Sequence, residues 1–184
     1  MYFTILTTLL ASSTSASPTF WPITQSTSTP CHSQAISPQW HDTIVSNWQS
    51  LWAGDLIYLN QTVTPNINLL QDRFPDGNGS EPLSINNSTA LLNFVRNSRE
   101  GFRKYEFRDL MHFGADNLVA FRWTMEGVYA GGLPGAMAKN GTVITYNGTD
   151  IMTLDRCTGL IAEVQSSQDF ITYFHELRMD IGKV

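Results

Sequence analysis

The chain predicts an α+β domain in which helices cover one face of a strongly curved, mostly antiparallel sheet and leave a conical cavity at one end. Two observations carry this. Helical patterning dominates the first half, and from Lys104 the apolar period changes from helix to strand. Four successive strands then follow with turns between them, over 105–113, 118–130, 142–154 and 160–167. The chain has 184 residues, enough for one domain with a proper core but short for two.

In chain order, residues 1–16 read as a signal peptide: an apolar run over 3–11, too short to span a bilayer, then small residues with cleavage after Ala16. Residues 17–37 form a Ser/Thr/Pro-rich arm without periodicity, and 38–184 form the folded domain. Ser37 and Pro38 give a helix start, N-cap followed by first helical position. Trp40, Ile44, Val45, Trp48, Leu51 and Trp52 recur at three- and four-residue spacing on one face. Gly54 and Asp55 break that helix, and a shorter helical turn follows over 56–63. A short strand is expected at 66–70, a loop at 76–80, and a second helix capped by the Asn87-Ser88-Thr89 stretch, with Leu91, Leu92, Phe94, Val95 and Phe102 on its buried side. A short helix over 169–177 closes the chain.

Composition narrows the partners. With 42% hydrophobic and 15% charged residues the chain is an ordinary globular one. The net charge of −5 and the lack of a basic stripe argue against nucleic acid. The loose group Arg96, Arg99, Arg103, Lys104 and Arg108 reads as a solvated face. No stretch after the leader is long and apolar enough for a membrane anchor, so a soluble secreted protein is expected. Sequons at Asn60, Asn78, Asn86, Asn87, Asn140 and Asn147 fit a secretory glycoprotein. In an oxidising compartment the two cysteines, Cys31 and Cys157, read as a disulfide worth about 4–5 kcal/mol in the chain-entropy model.

Around the last strand, Gly159, Ile161, Glu163 and Asp169 fit the spacing Gly-Lys-Ile-x-Glu-x-Trp-x-x-x-Asp, with Leu160 in place of the Lys and Gln165 in place of the Trp. Four other stretches join it: the helix ending Trp52-Ala-Gly-Asp55, the strand from Asp116 to Gly127, the loop Gly131-Gly132-Leu-Pro-Gly135, and the 142–154 strand. Together, over about 38–177, the chain resembles the SnoaL-like proteins of the NTF2-like superfamily. The resemblance implies a cone-shaped NTF2-like fold and a cofactor-independent polyketide cyclase or isomerase. Asp169 would then match the general acid/base of an aldol ring closure, with Gln165 in the pocket wall. It also implies a homodimer through the sheet. The fold hosts enzymes and plain binding proteins alike.

The residues themselves leave alternatives open. Asp169 is either a carboxylate at a strand end in an apolar cup, its pKa raised by desolvation, or the N-cap of the last helix. If Asn147 carries a glycan and faces solvent, Ile144, Tyr146, Asp150, Met152 and Leu154 face inward. Asp150 is then an acid in an apolar face, or an Asp paired with a backbone amide or an Arg. Phe121, Trp123, Met125 and Tyr129 share one face of their strand. Arg122, Thr124 and Glu126 share the other, where Arg122 and Glu126 are expected to pair with each other or across an interface. His112 could serve as a pocket base or be a satisfied structural histidine. His32, His41, His112 and His175 show no metal spacing, so neither a metal nor a cofactor is expected. Trp48, Trp52, Trp123, Tyr129 and Tyr146 would shape a cavity with the 131–135 loop at its mouth. Three functions follow: a cyclase, isomerase or lyase acting on a small apolar oxygenated molecule, a secreted binding protein without turnover, or a dimeric structural or host-interaction protein, which would have a filled cavity.

Overall fold

The computed structural model describes residues 37–75 and 80–180. The leader, most of the arm, Cys31 and Asn78 lie outside the described residues. Helix α1 (Pro38–Trp52) starts as its sequence dictates: Ser37 is extended, its Oγ accepts from the Trp40 N–H at 3.2 Å, and proline occupies the first turn. Its Ile44, Val45, Trp48, Leu51 and Trp52 are buried together. A 3-10 turn (Leu56–Tyr58) and the short helix α2 (Leu59–Thr62) follow. Helix α3 (Ser88–Ser98) is capped by Asn87, whose Oδ1 accepts from the Ala90 N–H at 2.8 Å. Leu91 and Val95 are its buried residues. Phe102, expected on this helix, instead opens strand β3.

The strands are β1 (Val63–Pro75), β2 (Ser80–Ile85), β3 (Phe102–Ala115), β4 (Leu118–Tyr129), β5 (Val143–Leu154) and β6 (Ile161–Gln168), with helix α4 (Phe170–Glu176) after them. β1 is much longer than the expected 66–70 strand, and β2 went unrecognised because the turn residues before it dominate its sequence. The six strands form one sheet in the order β2-β1-β6-β5-β4-β3. Every pairing is antiparallel except β1 with β6, which run parallel. The register slips in β3 between Asp109 and Met111 and in β5–β6 between Thr153 and Leu154. Such bulges bend strands and increase twist, which suits a sheet that curls around its contents.

The helices α1, α3 and α4 pack against β3, β1 and β5 respectively. One apolar core results, including Trp48, Phe121, Met125, Met152, Ile161 and Val164. β4 and β5 alternate buried and less buried residues along almost their whole length, as expected for strands with one face on a core. Among the described residues no helix is long and apolar enough to cross a membrane.

Candidate functional site

The concave face of the sheet and the helices over it enclose a cavity of about 290 Å³, at the lower end of the range for drug-sized ligands. α1 contributes Trp48, Gln49 and Trp52 to its lining, and α3 contributes Phe94, Asn97 and Ser98. The sheet adds Tyr105, Phe107, Phe121, Trp123, Tyr146 and Asp150, while Phe170, Tyr173 and Phe174 of α4 close one side. Leu133 and Pro134 of the glycine-rich loop also line it. The rings meet mostly edge to face: Phe107 and Trp123 at 4.8 Å between centroids, Trp48 and Trp52 at 5.7 Å, Trp123 and Tyr146 at 5.6 Å. No Lys, Arg or His is among the lining residues.

Asp150 is the acid of this cavity. The alternation of β5 runs through Gly148 without a slip, so Ile144, Tyr146, Asp150, Met152 and Leu154 are all buried. Asp150 is only 4% exposed. Its partners are neither an amide nor an arginine. Oδ2 accepts from the indole N–H of Trp48 at 2.9 Å and of Trp123 at 3.0 Å, and Oδ1 accepts from the Ser166 hydroxyl at 2.7 Å. Three elements, α1, β4 and β6, thus converge on one carboxylate. Gly148 makes the Trp123 contact possible, since a Cβ there would lie 2.2 Å from Trp123 Cζ2. An ionised carboxylate has about four lone-pair sites; both on Oδ2 are taken, and one on Oδ1 remains.

Burial pushes the Asp150 carboxyl above its ordinary value, against the pull of the hydrogen bonds from Ser166, Trp48 and Trp123. Burial likewise raises the Tyr105 and Tyr146 hydroxyls, Tyr146 well above its usual range. Both phenols therefore stay neutral, with their oxygens 3.4 Å apart. The result is a base of raised strength in an aromatic chamber that also offers neutral hydroxyl donors.

Asp169 lies elsewhere. It is exposed, outside the cavity lining, and caps α4: its Oδ1 accepts from the Thr172 N–H at 3.0 Å and its Oδ2 from the Thr172 hydroxyl at 2.7 Å. Those bonds hold its carboxyl below the ordinary value, the opposite of the desolvated acid expected in the cup. The cause is the slip in β6: Thr153 pairs with Glu163 and Leu154 with Ile161, leaving Ala162 as an extra residue. One extra residue exchanges the faces of everything after it. Ser166 and Gln168 therefore line the cavity, while Gln165, expected in the pocket wall, points outward and donates to Glu163 at 3.1 Å.

Of the other expected residues, Trp48, Trp52, Trp123 and Tyr146 line the cavity. Tyr129 is buried in the core instead, beside Phe102 at 6.0 Å, and does not reach the chamber. His112 is also outside it: its ring nitrogens bond Asp42 at 2.8 Å and Asp109 at 2.5 Å, and these partners raise its pKa. Its structural alternative is the arrangement seen. Arg122 and Glu126 do not pair with each other; Glu126 binds Lys104 and Arg108, and Arg122 donates to Thr149. Among the described residues no group of three His, Cys, Asp or Glu is placed to hold a metal ion. The sequence reading missed Ser166, Gln168, Gln71, Tyr105 and Phe107. For Ser166 and Gln168 the missing signal was the bulge; Tyr105 and Phe107 were legible from the two-residue period of β3.

No protein-family model matches the sequence, and no curated protein matches it. Its fold, however, has many counterparts. It is similar to IdmH from Streptomyces antibioticus, a candidate polyketide cyclase, with a TM-score of 0.64 at 15% identity over 76% of this chain and 99% of that one. A candidate SnoaL-like polyketide cyclase from Jannaschia sp. CCS1 gives 0.62 at 15% identity over 77% and 94%. A protein of ketosteroid isomerase-like fold from Catenulispora acidiphila, in complex with trimethylamine, gives 0.57 at 11% identity over 74% and 93%. The architecture the sequence predicts is the one observed: an α+β, SnoaL-like fold of the NTF2 type, with a curved six-stranded sheet under helices.

Proposed function

We propose that this chain is a cofactor-independent acid–base enzyme, a cyclase, isomerase or lyase, acting on a small, largely apolar, oxygenated molecule of the polyketide kind. The observation that carries the reading is Asp150, a buried carboxylate that lines an aromatic chamber and accepts one hydrogen bond on Oδ1, from Ser166. Its Oδ1 takes a proton from the carbon beside a substrate carbonyl, and the electron pair moves onto the carbonyl oxygen as an enolate. Return of the proton at another atom isomerises the molecule. Attack of the enolate carbon on a second carbonyl, followed by protonation of the new alkoxide from Asp150, closes a ring. Both sequences balance without an external oxidant or reductant. Likeness in fold to candidate polyketide cyclases supports the substrate class.

A second reading has its own support. The three donors on Asp150 also suit a structural hub in a binding protein without turnover. Asp150→Asn separates the two. An asparagine can keep its oxygen on the two indoles and donate from its amide to Ser166 Oγ, so the fold survives while proton transfer does not. Turnover of an aromatic polyketide-like ketone panel by wild type, lost in Asp150→Asn with binding retained, supports the enzyme. Binding by both without conversion supports the carrier.

We also propose that the protein is exported as a disulfide-bonded glycoprotein. Asn60, Asn86 and Asn140 are exposed sequons, Cys157 is not a free thiol, and Cys31 is the other cysteine of the chain. A homodimer through the outer sheet face is supported by the exposed Met111, Phe113, Leu118 and Ile151. Intact mass before and after deglycosylation and reduction tests the first proposal, and light scattering tests the second.

A further inference from the structure

One polar row crosses the sheet wall of the cavity, which is otherwise aromatic and apolar, while the helices over it add Gln49, Asn97 and Ser98. Gln71 of β1 stands opposite Ser166 of β6, and Ser166 opposite Asp150 of β5. Side chains further link the row: Ser166 donates to Asp150, while Gln168 Nε2 donates to Gln71 Oε1 at 3.1 Å and lies 3.4 Å from Ser166 Oγ. The exception is the far end. Gln71 is 3% exposed and lines the cavity, and its Nε2 has no hydrogen-bond partner among the described residues. A buried amide donor left unmatched loses its water without gaining a partner, and native folds keep few such groups. Because Gln168 holds the oxygen of the Gln71 amide, it is the nitrogen end that is left over.

We propose that Gln71 is a ligand-recognition residue, donating from Nε2 to a neutral carbonyl oxygen, and that the cavity selects ketones over hydrocarbons and carboxylates. A donor selects an acceptor, which disfavours a hydrocarbon or an ammonium group at that end. A carboxylate is disfavoured because no cation lines the cavity and the one acidic residue in the row is itself a carboxyl group, Asp150. Two strand spacings separate the Gln71 and Asp150 backbones, about 10 Å, and both side chains reach inward. A molecule of one or two rings then sets its carbonyl on Gln71 with its remaining atoms toward Asp150. This deepens the acid–base reading above and rests on it for the meaning of the Asp150 end. The Gln71 contact itself is read by binding alone.

Equilibrium dialysis of 2-acetylnaphthalene and 2-ethylnaphthalene, which share a ring system and differ in the carbonyl, tests the assignment. Wild type should prefer the ketone by about tenfold, as one buried hydrogen bond allows. Gln71→Met should bind the hydrocarbon normally and lose the preference. Gln71→Glu, read at a pH high enough to ionise it, keeps an acceptor for Gln168 but removes the free donor, and should bind the ketone more weakly than wild type does. A preference that survives in Gln71→Met, or that wild type never shows, overturns the assignment and leaves the Asp150 turnover test standing. Failure of both probes to bind wild type overturns it together with the small-ligand reading. Loss of neither preference nor affinity in Asp150→Asn, with no turnover in any form, removes the enzyme reading while upholding Gln71.

Discussion

Asp150, within β5, and Asp169, just past the end of β6 and beside Asn147 of β5, are near neighbours along the sheet, and they are opposites. Asp150 is enclosed by two indoles and a serine hydroxyl, and burial raises its pKa. Asp169 is exposed, tied to Thr172, and its pKa is lowered. The backbone hydrogen bonds of the two are close, since the Asp169 N–H donates to Asn147 on β5 at 2.9 Å. What separates the carboxylates is the face of the sheet each inherits. Residue type and strand-end position do not make an acid reactive; a low-dielectric surrounding and a substrate-sized space beside it do.

The comparison is broken most forcefully by exchanging roles. Asp150→Asn should reduce turnover by about 10²–10⁴-fold, the usual contribution of a general acid/base. Asp169→Asn should leave turnover as in wild type. Equal losses would erase the distinction. Next in size, Gly148→Ala should destabilise by about 1–3 kcal/mol, as overpacking does, because its methyl meets the Trp123 ring. It should also lower turnover by moving one indole off Asp150. Urea unfolding and steady-state rates check both. Smaller again, Asp169→Ala should cost about 1 kcal/mol through the lost helix cap, with ligand affinity unchanged. A comparable stability loss accompanied by loss of binding would place Asp169 in the site after all.

The pH dependence sharpens the contrast because the signs differ. With its folded pKa raised, Asp150 contributes fully below the unfolded carboxylate value, and that contribution is lost as pH rises through the folded pKa. Asp169, with its folded pKa depressed, contributes above the unfolded value and loses that contribution as pH falls through the folded one. Urea unfolding of Asp150→Asn and Asp169→Asn from about pH 3 to about pH 7 should therefore show differences from wild type that run in opposite directions. On the acid–base reading, Trp123→Phe removes a donor that favours the charged carboxylate, so the acid limb of kcat/KM should move to higher pH.

Much of the fold was legible. Ser37 and Pro38 mark the start of α1, Asn87 marks that of α3, and strict alternation places Asp150 inside. The candidate site was legible only in part. Trp48, Trp52, Trp123 and Tyr146 follow from periodicity, but Ser166 and Gln168 do not. A two-residue period assigns faces correctly until one residue is inserted, and nothing in Leu160-Ile161-Ala162-Glu163 announces that Ala162 is the extra one. The parallel pairing of β1 with β6 is equally silent in the sequence, because partners so far apart in the chain are chosen only as the whole sheet assembles. That pairing is what brings Gln71 beside Ser166.

The most direct test of the central claim is a carboxyl-carbon NMR titration of aspartate-labelled protein, with Asp150→Asn and Asp169→Asn used to assign the two resonances. The account predicts that Asp150 titrates above the ordinary carboxylate value and shifts when 2-acetylnaphthalene fills the cavity, while Asp169 titrates below it and does not respond. An Asp150 that titrates at or below the ordinary value, or a ligand response confined to Asp169, would contradict it.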